Sequence, residues 1–269
     1  MHDWSGYNTI VTGGIRREAL FITVRGGSSS CKSLYASMYG ANGNANANVD
    51  DIRLVVCPAW HADGDFGFEI AQHLCAGVAS RGGAAAMFHW PGHGESDGDP
   101  RTLTLGEFIE AGEAVVDKLI SSYGPGDLAV AGVQVGAVPA VGIARSRNAT
   151  KLLLVEPDLD ADAHYAAIER TARRTSLGKE LPPNWAASRF IPQLLRQAPI
   201  VEAPLLASEP TRPTHCAVVR YESSSPLDHL DVKELTVPGT RRRRSPDHHL
   251  ALREVAIDWL VPNRANADV

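Results

Sequence analysis

Short, continuous apolar runs punctuate this chain at 52–57 (Ile-Arg-Leu-Val-Val-Cys), 83–89, 128–133 and 151–155 (Lys-Leu-Leu-Leu-Val). Runs of that length without polar alternation predict strands buried on both faces of a parallel sheet. Between them, 66–81 and 105–123 space their apolar residues helically; Phe108, Ile109, Val115, Val116, Leu119 and Ile120 mark one stripe. Ahead of these, 18–25 and 32–39 predict two strands joined as a hairpin through Gly26-Gly-Ser-Ser-Ser30. The stretch 40–50, made of Gly, Asn, Ala and Asp with one Val, predicts a flexible loop. Strands at 215–221 and 235–237 and a closing helix over 250–260 complete the pattern. Strands alternating with helices predict an α/β fold, a mostly parallel sheet covered on both faces.

The rhythm breaks over 158–213. Helical patches there are mixed with Pro182, Pro183, Trp185, Pro192 and Pro204, and no strand is evident. This segment reads as an inserted lid or cap, with 1–157 and 214–269 forming the core. At 269 residues the chain suffices for one such domain.

Composition narrows the partners. A net charge of -5 opposes general nucleic-acid binding, which needs a basic face. No run has the length and apolarity of a membrane span. The opening Met-His-Asp-Trp-Ser-Gly lacks the basic and apolar regions of a signal peptide, so a cytoplasmic location is expected. Cys31, Cys57, Cys75 and Cys216 are scattered without ligand spacing and read as reduced, mostly buried thiols. Gly26 to Ser33 resembles a phosphate loop only superficially: no glycine immediately precedes Lys32 and no helix is expected after it. With no zinc ligand cluster, dinucleotide fingerprint or haem motif, neither a metal nor another cofactor is expected. A homodimer is left open.

The candidate chemistry centres on Gly132-Val-Gln134-Val-Gly136, where the 128–133 strand enters a small-residue helix. The spacing is that of a nucleophile elbow, a tight strand-to-helix turn holding one side chain over the sheet. The flanking glycines suit close contact between helix and strand. Three features together resemble the α/β-hydrolase fold: this corner, the Pro91-Gly-His-Gly-Glu-Ser96 turn after a strand, and a histidine at the start of the last helix. Within that superfamily the chain resembles hydrolase-like proteins associated with exosortase and natural-product systems, some of which carry a long polar residue at the elbow.

The resemblance implies a site with one part exchanged. Gln134 stands at the nucleophile position, and a carboxamide cannot be deprotonated to a useful nucleophile. The base maps to His248 or His249, with His248 favoured because it follows Asp247. The acid maps to Glu222 or Asp228 after the 215–221 strand, and Glu156 after the preceding strand is a third option. The oxyanion hole maps to the Val135 N–H and to the loop Ala59-Trp60-His61, and Trp60, His61 and Trp185 are candidate substrate contacts.

Each feature also has a plainer structural reading. Gln134 can fill a dead site, Asp247 can cap the last helix beside His248, and His93 can shape its turn. Ser96, Ser223, Ser224, Ser225, Ser245 and Cys57 are the candidates for a displaced nucleophile, without an activating pattern around any of them. Arg241 to Arg244 read as a solvated loop or as a grip on a phosphate of a carrier-bound substrate. The reading favoured by the whole is a hydrolase-fold enzyme without a serine nucleophile, using His-based acid/base chemistry on a small-molecule, acyl or carrier-bound carbonyl substrate. The alternatives are a non-catalytic binding module and an esterase or thioesterase with a displaced nucleophile.

Overall fold

The computed structural model describes residues 9–24, 32–41, 51–59, 64–99, 103–157, 215–221, 232–238 and 246–262. Among these the order is β1 (Thr9–Thr12), β2 (Ile15–Thr23), β3 (Ser33–Ala41), β4 (Ile52–Cys57), α1 (Gly64–Ser80), β5 (Ala84–Phe88), α2 (Leu105–Tyr123), β6 (Asp127–Val133), α3 (Ala137–Ser146), β7 (Lys151–Val155), β8 (His215–Tyr221), β9 (Lys233–Val237) and α4 (Pro246–Leu260). The described strands form one sheet in the order β1-β2-β3-β5-β4-β6-β7-β8-β9. β1, β2 and β3 are joined antiparallel, β3 meets β5 antiparallel, and every pairing from β5 to β9 is parallel.

Alternation along the strands splits the core into two layers. On β4, Val55 and Cys57 join Phe88, Phe108, Val115, Leu119 and Ile143 on the α2/α3 face. Leu54 and Val56 join Ile70, Leu74, Met87, Leu252 and Ile257 on the α1/α4 face. Apart from Arg53 on β4, the central strands bury apolar residues on both faces because both layers are covered.

Local chemistry fixes the helix ends that orient these layers. Thr104 Oγ1 accepts from the Glu107 N–H at 3.3 Å while Glu107 Oε2 accepts from the Thr104 N–H at 2.8 Å, a reciprocal cap that starts α2. Beyond its other end, fully buried Arg53 donates to the carbonyls of Tyr123, Gly124 and Pro125, and to those of Asp51 and Ile52. One side chain of β4 thereby satisfies the carbonyls where α2 ends.

Two boundaries differ from the sequence reading. The hydrophobic pattern missed β1, a four-residue strand paired to β2. The last helix begins at Pro246, with Asp247, His248 and His249 already inside its first turn. Proline suits that first position, where its missing N–H costs nothing, so Asp247 is not the residue that precedes the helix. The loop expected over 40–50 lies, beyond Ala41, outside the described residues, as do the inserted cap at 158–213 and the 26–30 connection. The hairpin itself is established by the pairing of Thr23 with Ser33.

Candidate functional site

The elbow is built by close approach. After Val133 the chain makes a single 3-10 turn, Gln134–Gly136, and continues directly into α3. A Cβ on Gly132 would lie 2.5 Å from the Ala137 Cα and 2.8 Å from the Ala140 Cβ, and one on Gly136 would run into the Cys57 and Pro58 carbonyl oxygens. Only glycine fits either place, so helix, corner and β4 lock together. The residue held between them, Gln134, has φ 53° and is buried. A non-glycine residue in the left-handed region costs on the order of 1 kcal/mol, and the packing around the corner maintains it. Val135, the next residue, is buried in the turn that opens α3.

A second outlier stands beside the first. Val133 of β6 pairs with Val155 of β7. The residues that follow them, Gln134 and Glu156, therefore leave adjacent strands about 5 Å apart. Glu156 is also buried and also left-handed, with φ 47°. Its N–H donates to the Val219 carbonyl at 2.9 Å, and its Oε1 accepts from the Tyr221 N–H at 2.6 Å. Burial, and then the charge of Glu156, push the Tyr221 hydroxyl up to about 12, so Tyr221 stays a neutral phenol in the physiological range.

The expected base, His248 or His249, falls on α4. Its far end is tied to the opposite edge of the sheet, where Lys151 Nζ donates to the Leu260 carbonyl at 2.7 Å and Arg81 donates to the Val261 carbonyl at 2.6 Å. The helix packs against β7, β8 and β9; His248 and His249 stand in its first turn, and their side chains lie outside the described residues. Of the other expected site residues, Trp60, His61, Trp185, Glu222 and Asp228 lie outside the described residues, as do Ser223, Ser224, Ser225, Ser245 and Arg241 to Arg244.

Two displaced-nucleophile candidates are ruled out by their surroundings. The Ser96 hydroxyl donates to the His89 carbonyl at 2.8 Å and accepts from the Tyr35 N–H at 3.0 Å, pinning the 90–97 turn to β3. Cys57 is fully buried, and burial pushes its thiol far above the ordinary range, which leaves no reactive thiolate. Trp90 is packed edge-on between Phe88 and Phe108 with its indole N–H on the Pro58 carbonyl at 2.9 Å. His93 Nδ1 lies 3.2 Å from the Pro91 carbonyl oxygen, consistent with shaping its own turn.

The sequence did not single out His89, immediately after β5. Its Nδ1 lies 2.7 Å from Glu95 Oε2, and its ring is framed by Tyr35 and Phe68 at 4.9 and 5.1 Å. Burial lowers the His89 pKa, with Glu95 opposing the shift. No sequence signal marks this pair, because Glu95 reaches it only once the glycine turn folds back. Among the described residues no three His, Cys, Asp or Glu side chains form a group that would hold a metal ion, and no helix is long and apolar enough to cross a membrane.

No family model matches the sequence, and no curated protein matches it either. Solved structures do resemble it. A putative hydrolase from Agrobacterium vitis S4 aligns with a TM-score of 0.60 at 18% identity, covering 91% of this chain and 99% of its own. An α/β serine hydrolase without lid from Xanthomonas campestris aligns at 0.55 and 15% identity, covering 95% of this chain and 100% of its own. A thioesterase domain from the curacin biosynthetic pathway aligns at 0.55 and 14% identity, covering 92% and 99% respectively. The strand order, the crossovers and the glycine-locked corner after β6 agree with these likenesses: the chain has the α/β-hydrolase fold.

Proposed function

We propose that this protein is a hydrolase-fold enzyme that works without a serine nucleophile, by acid/base chemistry on a carbonyl or acyl substrate. Gln134 holds the substrate carbonyl or a water through its carboxamide, and the Val135 N–H supplies an oxyanion donor. His248 moves the proton, oriented by a carboxyl group drawn from Glu222, Asp228 or Glu156. Isomerisation, elimination, cyclisation and water-mediated cleavage all fit such a set, since none requires an acyl-enzyme. A cytoplasmic place, a lid over 158–213 with Trp185 in it, contacts from Trp60 and His61, and a role in a biosynthetic pathway belong to the same reading.

The observation that carries it is the conformation of Gln134. The corner after β6 keeps a strained, buried, polar residue, and strain of this kind collects where function needs it. The test is turnover of acyl esters, thioesters and cyclisable carbonyl compounds by the wild type and by His248→Ala. Loss of turnover in the variant supports the reading, and equal turnover refutes it.

The near-complete burial of Gln134 favours a second reading, a binding module in which the carboxamide plugs a ligand site for partner enzymes. Ligand affinity that persists in His248→Ala, with no product from either protein, would favour it.

A further inference from the structure

Away from the corner, β2 and β3 carry a cross-strand ladder on the face that Tyr39 shares with α1. Arg17, Ala19 and Phe21 of β2 alternate onto that face, opposite Tyr39, Ser37 and Tyr35 of β3. We propose that this ladder binds an amphipathic monocarboxylate, its carboxylate on Arg17 and its aliphatic chain running along Ala19 to Phe21 and Tyr35.

The cation end is the first observation. The half-buried Arg17 guanidinium stands 5.7 Å from the centre of the Tyr39 ring, and one Nη donates to Ser37 Oγ at 3.2 Å. Burial raises the Cys75 thiol of α1 and the charge of Arg17 opposes that shift, so the guanidinium also lies beside α1. Burial raises the Tyr39 hydroxyl as well. The described groups that meet Arg17 (Ser37, Tyr39 and Cys75) are therefore all neutral, and all three are buried. Glu18, its neighbour in sequence, faces the other way and pairs with Arg16 at 3.0 Å. Among the described residues no carboxylate balances Arg17. A guanidinium offers five N–H donors in a fixed fork that matches a carboxylate two bonds at a time. A cation resting on a buried floor has lost part of its hydration, and an anion replaces it.

The apolar end is the second. Four residues from Arg17, about 13 Å at ~3.3 Å each, Phe21 packs edge-on against Tyr35 with ring centres 5.6 Å apart. Phe21 is 51% exposed; of the described large apolar residues only Leu250 is exposed as well. One bare ring is ordinary on a protein surface. Here it ends a ladder that begins at an unbalanced cation, with only the small Ala19 between them. A small anion would leave Phe21 uncovered and a neutral chain would leave Arg17 unmet, whereas an acyl chain ending in a carboxylate meets both. β2 stands four strands from β6, about 19 Å at ~4.8 Å each, so this site does not rest on the function proposed for the corner.

The test is an NMR titration of the full chain with sodium octanoate, below its micellar concentration, and in parallel with octanol. Wild type should bind octanoate about tenfold or more tightly than octanol. Arg17→Gln should bring octanoate down to the affinity of octanol and leave octanol unchanged, while Phe21→Ser weakens both. Absent octanoate binding, equal affinities in the wild type, or an unaltered octanoate affinity in Arg17→Gln overturns the proposal. Should Arg17→Gln fail to fold, the wild type must still show contacts from octanoate methylene protons to the Phe21 and Tyr35 ring protons, and their absence overturns it. The titration needs no turnover, so it decides this point whether or not the corner is catalytic.

Discussion

Gln134 and Glu156 occupy equivalent places at the ends of two paired strands, each one residue beyond the Val133–Val155 register, and both are buried in the left-handed region. Of the described non-glycine residues only Asn148, after α3, shares that conformation, and asparagine adopts it readily. The two residues stand side by side at the carboxyl edge of a parallel sheet. Open α/β sheets place their ligands at that edge.

The corner itself should be intolerant of any added side chain. In Gly136→Ala the new methyl meets two carbonyl oxygens of the β4 end, which are backbone and cannot rotate away. We expect a loss of about 2–3 kcal/mol or more, read by urea unfolding. Unchanged stability would show that helix and strand are not locked as described.

Arg53 should be among the largest single contributors outside the apolar core. Replacing it by Met strands five carbonyl acceptors at the junction of α2 and β4. A cost of about 3 kcal/mol or more is expected from the unsatisfied groups, with no direct effect on the site. A loss below about 1 kcal/mol, on the same hydrogen-bond scale, would mean water replaces the guanidinium freely.

These two positions show what was legible. The glycine spacing at 132 and 136 announced the corner, because close backbone contact leaves only one residue type. The apolar runs announced β4, β6 and β7, because strands covered on both faces must be apolar throughout. Arg53 sits inside such a run, and nothing local says that its charge is spent on a helix end about 70 residues away in sequence. Likewise the left-handed φ of the buried Glu156 has no sequence signal in glutamate. The first strand went unseen because four residues carry too little pattern.

His89 gives the stability a dependence on acid. Its pKa is lowered by burial, more than Glu95 restores. Above the ordinary histidine value both states are neutral and the full stability is present. As pH falls below that value the unfolded chain takes the proton first, so stability declines until the folded form also titrates. The slope contributed is at most about 1.4 kcal/mol per pH unit. His89→Gln should flatten the decline between pH ~7 and ~5 seen in urea unfolding, and an unaltered slope would show that other groups dominate.

Thiol chemistry should separate the cysteines. Cys57 and Cys75 are fully buried, and burial raises both thiols far above the ordinary range. In native protein iodoacetamide should leave them unmodified while the half-buried Cys216 reacts slowly. Rapid native labelling of Cys57 would reopen its case as a nucleophile. Ser96→Ala should lower stability by about 1–2 kcal/mol, through the lost hydroxyl bridge between β3 and the turn, without altering turnover.

The proposed function holds that a hydrolase frame surrounds a carboxamide at position 134, and the most direct measurement of it gives that position a hydroxyl. Gln134→Ser should react covalently with a fluorophosphonate, the adduct should map to residue 134 by mass spectrometry, and His248→Ala in the same background should abolish it. A folded Gln134→Ser protein that stays unlabelled, or that labels equally without His248, would contradict the account.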